Sequence, residues 1–171
     1  MSLLDLIVNT GIADAINRMP EGIRSNKDAI AETIENNVRR KIIKEHLSDP
    51  AYYDSMSALL DEIIAARKAR AIEYEEYLKR IAELAKRVEA GHAGDAPEEI
   101  DTPARRALYN NLNHDRDLAL KVDEAVRQNR PDSWRGVQTR EMAIKSALYA
   151  VLQDADQVER IFLIVKQQRE Y

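Results

Sequence analysis

Apolar positions recur at spacings of three and four along nearly the whole chain, and no stretch alternates strictly, so the pattern predicts helices and no strands. Leu4, Ile7, Val8, Ile12, Ala15, Ile16 and Met19 share one face of a first helix. Gly11 lies on that face, where a missing side chain would let a neighbouring helix come close. Pro20-Glu21-Gly22 ends this helix. Ser25 suits the N-cap of a second helix, with Asp28 three residues on completing an approximate capping box. Its stripe is Ile30, Ile34, Val38 and Ile42, with Asn37 among them, and Ser48-Asp49-Pro50 closes it. Met56, Leu59, Leu60, Ile63 and Ile64 mark a third helix; Tyr74, Tyr77, Leu78, Ile81, Leu84, Ala85 and Val88 mark a fourth. The break between them, near Arg70-Ala71-Ile72, is short enough to predict antiparallel packing.

Gly91-His92-Ala93-Gly94-Asp95-Ala96-Pro97 is the one shift of composition, and residues 91–101 read as a mobile surface loop. It separates an N-terminal helical group, 1–90, from a C-terminal one, 102–171. Thr102 then caps a helix with Pro103 in its first position, where a missing N–H is harmless. Leu118, Val122, Ala125, Val126 and Asn129 line the next helix, and the turn-rich connector Pro131-Asp132-Ser133-Trp134-Arg135-Gly136 follows. Ile144, Ala147, Leu148, Val151 and Leu152 mark a seventh helix; Val158, Ile161, Phe162 and Val165 mark an eighth. The fold class is therefore all-α, a bundle of seven to eight amphipathic helices.

Composition agrees. The 171 residues include only 5 Gly and 5 Pro, too few for the turns of an all-β chain. Net charge is −4, from 26 basic and 30 acidic residues that interleave along the chain, unlike the basic field of a dedicated DNA-binding domain. With no cysteine, disulfides, thiolate metal sites and a cysteine nucleophile are excluded, which fits a cytoplasmic location. No apolar run reaches the ~18 residues of a membrane span. Asp5 interrupts the apolar start and no basic segment precedes it, which argues against a signal peptide; Met1-Ser2-Leu3 reads as an added leader.

Candidate chemistry is sparse. Neither G-x-x-x-x-G-K-[ST] nor G-x-G-x-x-G occurs, so no nucleotide cofactor is expected in this chain. His46, His92 and His114 are far apart, and His46 suits a helix C-terminus better than a metal. Asp115 and Asp117 fit the first turn of a helix. Pro131-Asp132 opens like a nuclease motif, but Glu141-Met142-Ala143 lacks its lysine. Glu73, Glu75 and Glu76 around Tyr74 and Tyr77 fit a helix N-terminus. Arg39, Arg40, Lys41, Arg67, Lys68 and Arg70 sit near helix C-termini, where the dipole favours them; the alternative is a set of phosphate contacts. Trp134 and Arg135 belong to the types most enriched at binding hot spots, so they mark a possible docking surface. The alternative is that Trp134 plugs a seam between helices while Arg135 caps a carbonyl.

Longer words add a resemblance. They are Glu32-Thr33-Ile34-Glu35-Asn36-Asn37-Val38-Arg39, Tyr52-Tyr53 through Met56 to Asp61, and Tyr74-Glu75-Glu76-Tyr77-Leu78 with Ala82-Glu83-Leu84-Ala85. Thr102-Pro103-Ala104 with Ala107-Leu108-Tyr109, Trp134-Arg135-Gly136, and Val158 through Val165-Lys166 to Glu170-Tyr171 continue the series. From about Ile12 to Tyr171 the chain resembles the C-terminal helical region of the R (restriction and motor) subunit of type I restriction-modification enzymes. The resemblance implies a parent that cleaves DNA after ATP-driven translocation, using ATP and Mg. Its partners would be the parent's own motor domains, the methyltransferase and specificity subunits, and DNA through the full complex. The chain would then be a structural and subunit-docking fragment. No motor or nuclease motif is present, so no catalytic residue carries over.

Overall fold

The computed structural model describes all 171 residues and contains ten α-helices, one 3₁₀ turn and no strand. Ten replace the expected seven or eight because Gly11 splits the first apolar stripe into α1 (Leu3–Thr10) and α2 (Ile12–Asn17), and the expected stop at Pro20-Glu21-Gly22 instead opens a short α3 (Glu21–Arg24). Gly11 has φ +91°, a conformation open to glycine and strained for other residues. A Cβ at Gly11 would meet nothing within 4 Å, so the glycine serves the turn and not a close helix approach. Ser2 caps α1 in a reciprocal capping box with Asp5.

The chain divides into two compact units. The first, Met1–Glu45 with Tyr53–Ala93, holds α1–α3, α4 (Lys27–Glu45), most of α5 (Pro50–Lys68) and α6 (Tyr74–Ala90). The cap of α4 is Asn26, not Ser25: its Oδ1 accepts from the N–H of Asp28 at 2.9 Å and of Ala29 at 3.2 Å. Ile30, Ile34, Val38, Tyr77, Ile81, Leu84 and Val88 are buried. Arg67, near the end of α5, lies 5.8 Å from the Tyr77 ring near the start of α6. At the other end, the Tyr53 hydroxyl lies 3.4 Å from where a Gly91 Cβ would sit. The two helices are antiparallel, as their short joint predicts.

A buried carboxylate ties this unit together. Glu35 of α4 accepts from Arg67 Nε at 2.8 Å and Nη2 at 3.0 Å, and from the Tyr77 hydroxyl at 2.7 Å. A fork of two bonds uses both carboxylate oxygens and fixes α5 against α4; the tyrosine adds α6. Burial together with the neighbouring Glu35 pushes the Tyr77 phenol well above its ordinary range.

The second unit is His46–Tyr52 with Gly94–Tyr171. It contains α7 (Pro103–Asn111), α8 (Arg116–Asn129), α9 (Gln138–Leu152) and α10 (Ala155–Lys166), and the 3₁₀ turn His46–Ser48 with the first turn of α5 belongs to it. The break between units falls inside the expected loop, but 91–101 is more than a surface loop, since Ile100 is buried in the core with Ala104, Leu108, Val122, Ile144 and Ile161. No helix is long and apolar enough to cross a membrane.

Glu35→Ala leaves Arg67 and the Tyr77 hydroxyl without their acceptor and is expected to destabilise by about 3 kcal/mol. Tyr77→Phe keeps the ion pair and is expected to lose about 1 kcal/mol. Urea midpoints at constant slope measure both, and equal losses would contradict the shared-acceptor account.

Candidate functional site

Two of the residues singled out from the sequence, Trp134 and Arg135, converge on Tyr171. Trp134 is 2 % exposed; its ring meets Phe162 edge-on with centroids 5.8 Å apart, and its Nε1–H donates to the Tyr171 carbonyl at 3.3 Å. Arg135 covers that ring, 4.4 Å from the centroid, and donates to the carbonyls of Lys166, Gln168 and Tyr171. The first two of these carbonyls lie at the C-terminus of α10, where no intrahelical donor remains. Trp134 is therefore a buried plug within its own unit, and Arg135, itself exposed, caps carbonyls. An open cavity of about 380 Å³ lies beside them, lined by Arg130, Pro131, Asp132 and Ser133 among others.

Behind this clasp lies a second buried carboxylate. Asp123 of α8 accepts from Arg105 Nε at 3.0 Å, from Arg127 Nε at 3.0 and 3.1 Å, and from the Tyr171 hydroxyl. Burial alone would raise its pKa, but the bonds from Tyr171, Arg105 and Arg127 outweigh it and hold the carboxyl below its ordinary value. Arg127 also stands 5.1 Å from the Tyr171 ring and pairs with Glu170 at 2.7 Å. The other Glu170 oxygen accepts from the Ala104 N–H at 2.6 Å, so it joins Thr102 in capping α7. Burial and the neighbouring Asp123 carboxylate drive the Tyr171 phenol far up.

The third buried carboxylate, Asp49, was read from the sequence only as part of a helix stop. It accepts from the Tyr52 N–H at 3.2 Å and from the amides of Asn110 at 2.9 Å and Asn111 at 2.7 Å. Asn111 in turn accepts from the Ala51 N–H at 3.1 Å, and Gln168 donates to the Ser48 carbonyl at 2.7 Å. These bonds explain why His46–Tyr52 belongs with the second unit. Burial pushes the Asp49 carboxyl up to about 6 against the amide bonds and the more distant Arg106.

The basic residues separate into two groups. Arg67 is committed to Glu35 and Asp28, Arg39 to Ser57 and Asp61, and Lys41 to Glu45. Arg40, Lys68 and Arg70 are exposed. The six do not form one cationic surface with free side chains, because half of them face carboxylates. Asp115 caps α8 and Asp117 pairs with Arg116. Glu76 pairs with Arg80, Lys27 covers the Tyr74 ring, and His114 packs on Tyr109. Glu141 accepts from the Gly136 N–H and pairs with Lys166, so it braces the connector. No three His, Asp or Glu side chains gather as a metal-binding group.

Sequence reasoning missed Asp123, Glu35 and Asp49 as organising groups. A signal existed for two of them: Glu35 and Asp123 stand on the apolar stripes of their helices, between Ile34 and Val38 and beside Val122 and Val126. A charge in such a stripe requires a partner. Comparisons with protein-family models, curated proteins and solved structures return no match.

Trp134→Ala removes a buried ring and its bond to Tyr171, and about 3–4 kcal/mol of stability should go with it. Far-ultraviolet circular dichroism during urea unfolding reads this, and a loss under 1 kcal/mol would contradict the plug. Asp49 has the opposite pH signature to Asp123. Because its folded value is raised, the stability it contributes is complete below about pH 4 and is lost as the pH rises through about 6. Asp123, held low, contributes above the ordinary carboxyl range and loses that contribution as the pH falls through its folded value. Asp49→Asn should flatten the decline of stability between about pH 4 and 6.5 by on the order of 2 kcal/mol; an unchanged profile would contradict it.

Proposed function

We propose that this chain is the C-terminal helical region of a type I restriction-modification R subunit and works as a structural and subunit-docking module. One observation carries the reading. The words on which the resemblance rests are the same words whose side chains meet across the helices. Glu35 of the first word accepts from Tyr77 of the third. Thr102-Pro103-Ala104, Trp134-Arg135 and Glu170-Tyr171 meet through the Glu170–Ala104, Trp134–Tyr171 and Arg135–Tyr171 bonds. Residues that pack and pair with one another are what a region needs when its task is to hold a rigid surface against motor domains and a methyltransferase–specificity core. On this reading ATP, Mg and the DNA-cleaving groups belong to other parts of the parent enzyme.

The reading has a direct test. Mixed with the methyltransferase and specificity subunits of a type I enzyme, the chain should co-elute in size exclusion and appear as one assembly in native mass spectrometry. Failure to co-elute overturns the docking role. A gel shift of duplex DNA by the chain alone, falling steeply between two salt concentrations, would favour phosphate contacts through Arg40, Lys68 and Arg70 instead.

A further inference from the structure

We draw no further inference here: the strongest candidate, the open cavity of about 380 Å³ beside the Trp134–Arg135 connector, belongs to the site already described, its guanidinium groups, Arg130 and Arg135, being taken up by the carbonyls of Glu170, Lys166, Gln168 and Tyr171.

Discussion

Asp123 sits among Ala119, Val122 and Val126 at 2 % exposure, a setting that costs an ionised carboxylate several kcal/mol unless its oxygens are filled. They are filled by Arg105 from α7, by Arg127 from its own helix and by the Tyr171 hydroxyl. Each charge-assisted bond offsets roughly 1.5–3 kcal/mol, so the complete set outweighs the burial. The pKa of Asp123, held below its ordinary value, has the sign this balance requires. Much else depends on it. Once Tyr171 is placed, its carbonyl can receive Trp134 and Arg135, and Glu170 next to it can cap α7.

The same arrangement appears in the first unit with a different cast: Glu35 takes a two-bond fork from Arg67 and a third bond from Tyr77. Asp49 shows what happens when cations are absent from the contact. Its three donors are two side-chain amides and a backbone N–H, and its pKa stays raised, at about 6. Neutral donors satisfy the geometry of a carboxylate without balancing its desolvation. Glu35 and Asp123 are thus ionic ties between helices, while Asp49 is a pH-sensitive one at the corner between α4 and α5.

These ties account for most of the chemically suggestive residues. Trp134, Arg135 and Arg67, which a motif search would pick out, are engaged with carbonyls, carboxylates or rings of their own unit, and Glu141 with the Gly136 N–H and the Lys166 ammonium. Arg40, Lys68 and Arg70 remain exposed outside these ties, as do Met142 and Tyr149 of α9.

The sequence by itself determined the helices, because a period of 3.6 in hydrophobicity is a local property that any helix burying one face must carry. It determined the antiparallel joint of α5 and α6, the Thr102 cap and the stop at Pro20, all of which depend on a few adjacent residues. Tertiary structure decided the rest. Whether Gly11 served a turn or a close approach depended on φ, and whether Asn26 or Ser25 capped α4 depended on which oxygen reached the free N–H groups. Whether Trp134 faced a partner or a core depended on Phe162 and Tyr171, about thirty and forty residues away. The membership of His46–Tyr52 depended on amides more than sixty residues on. Burial and pairing are set by distance in space, and the sequence records distance only along the chain.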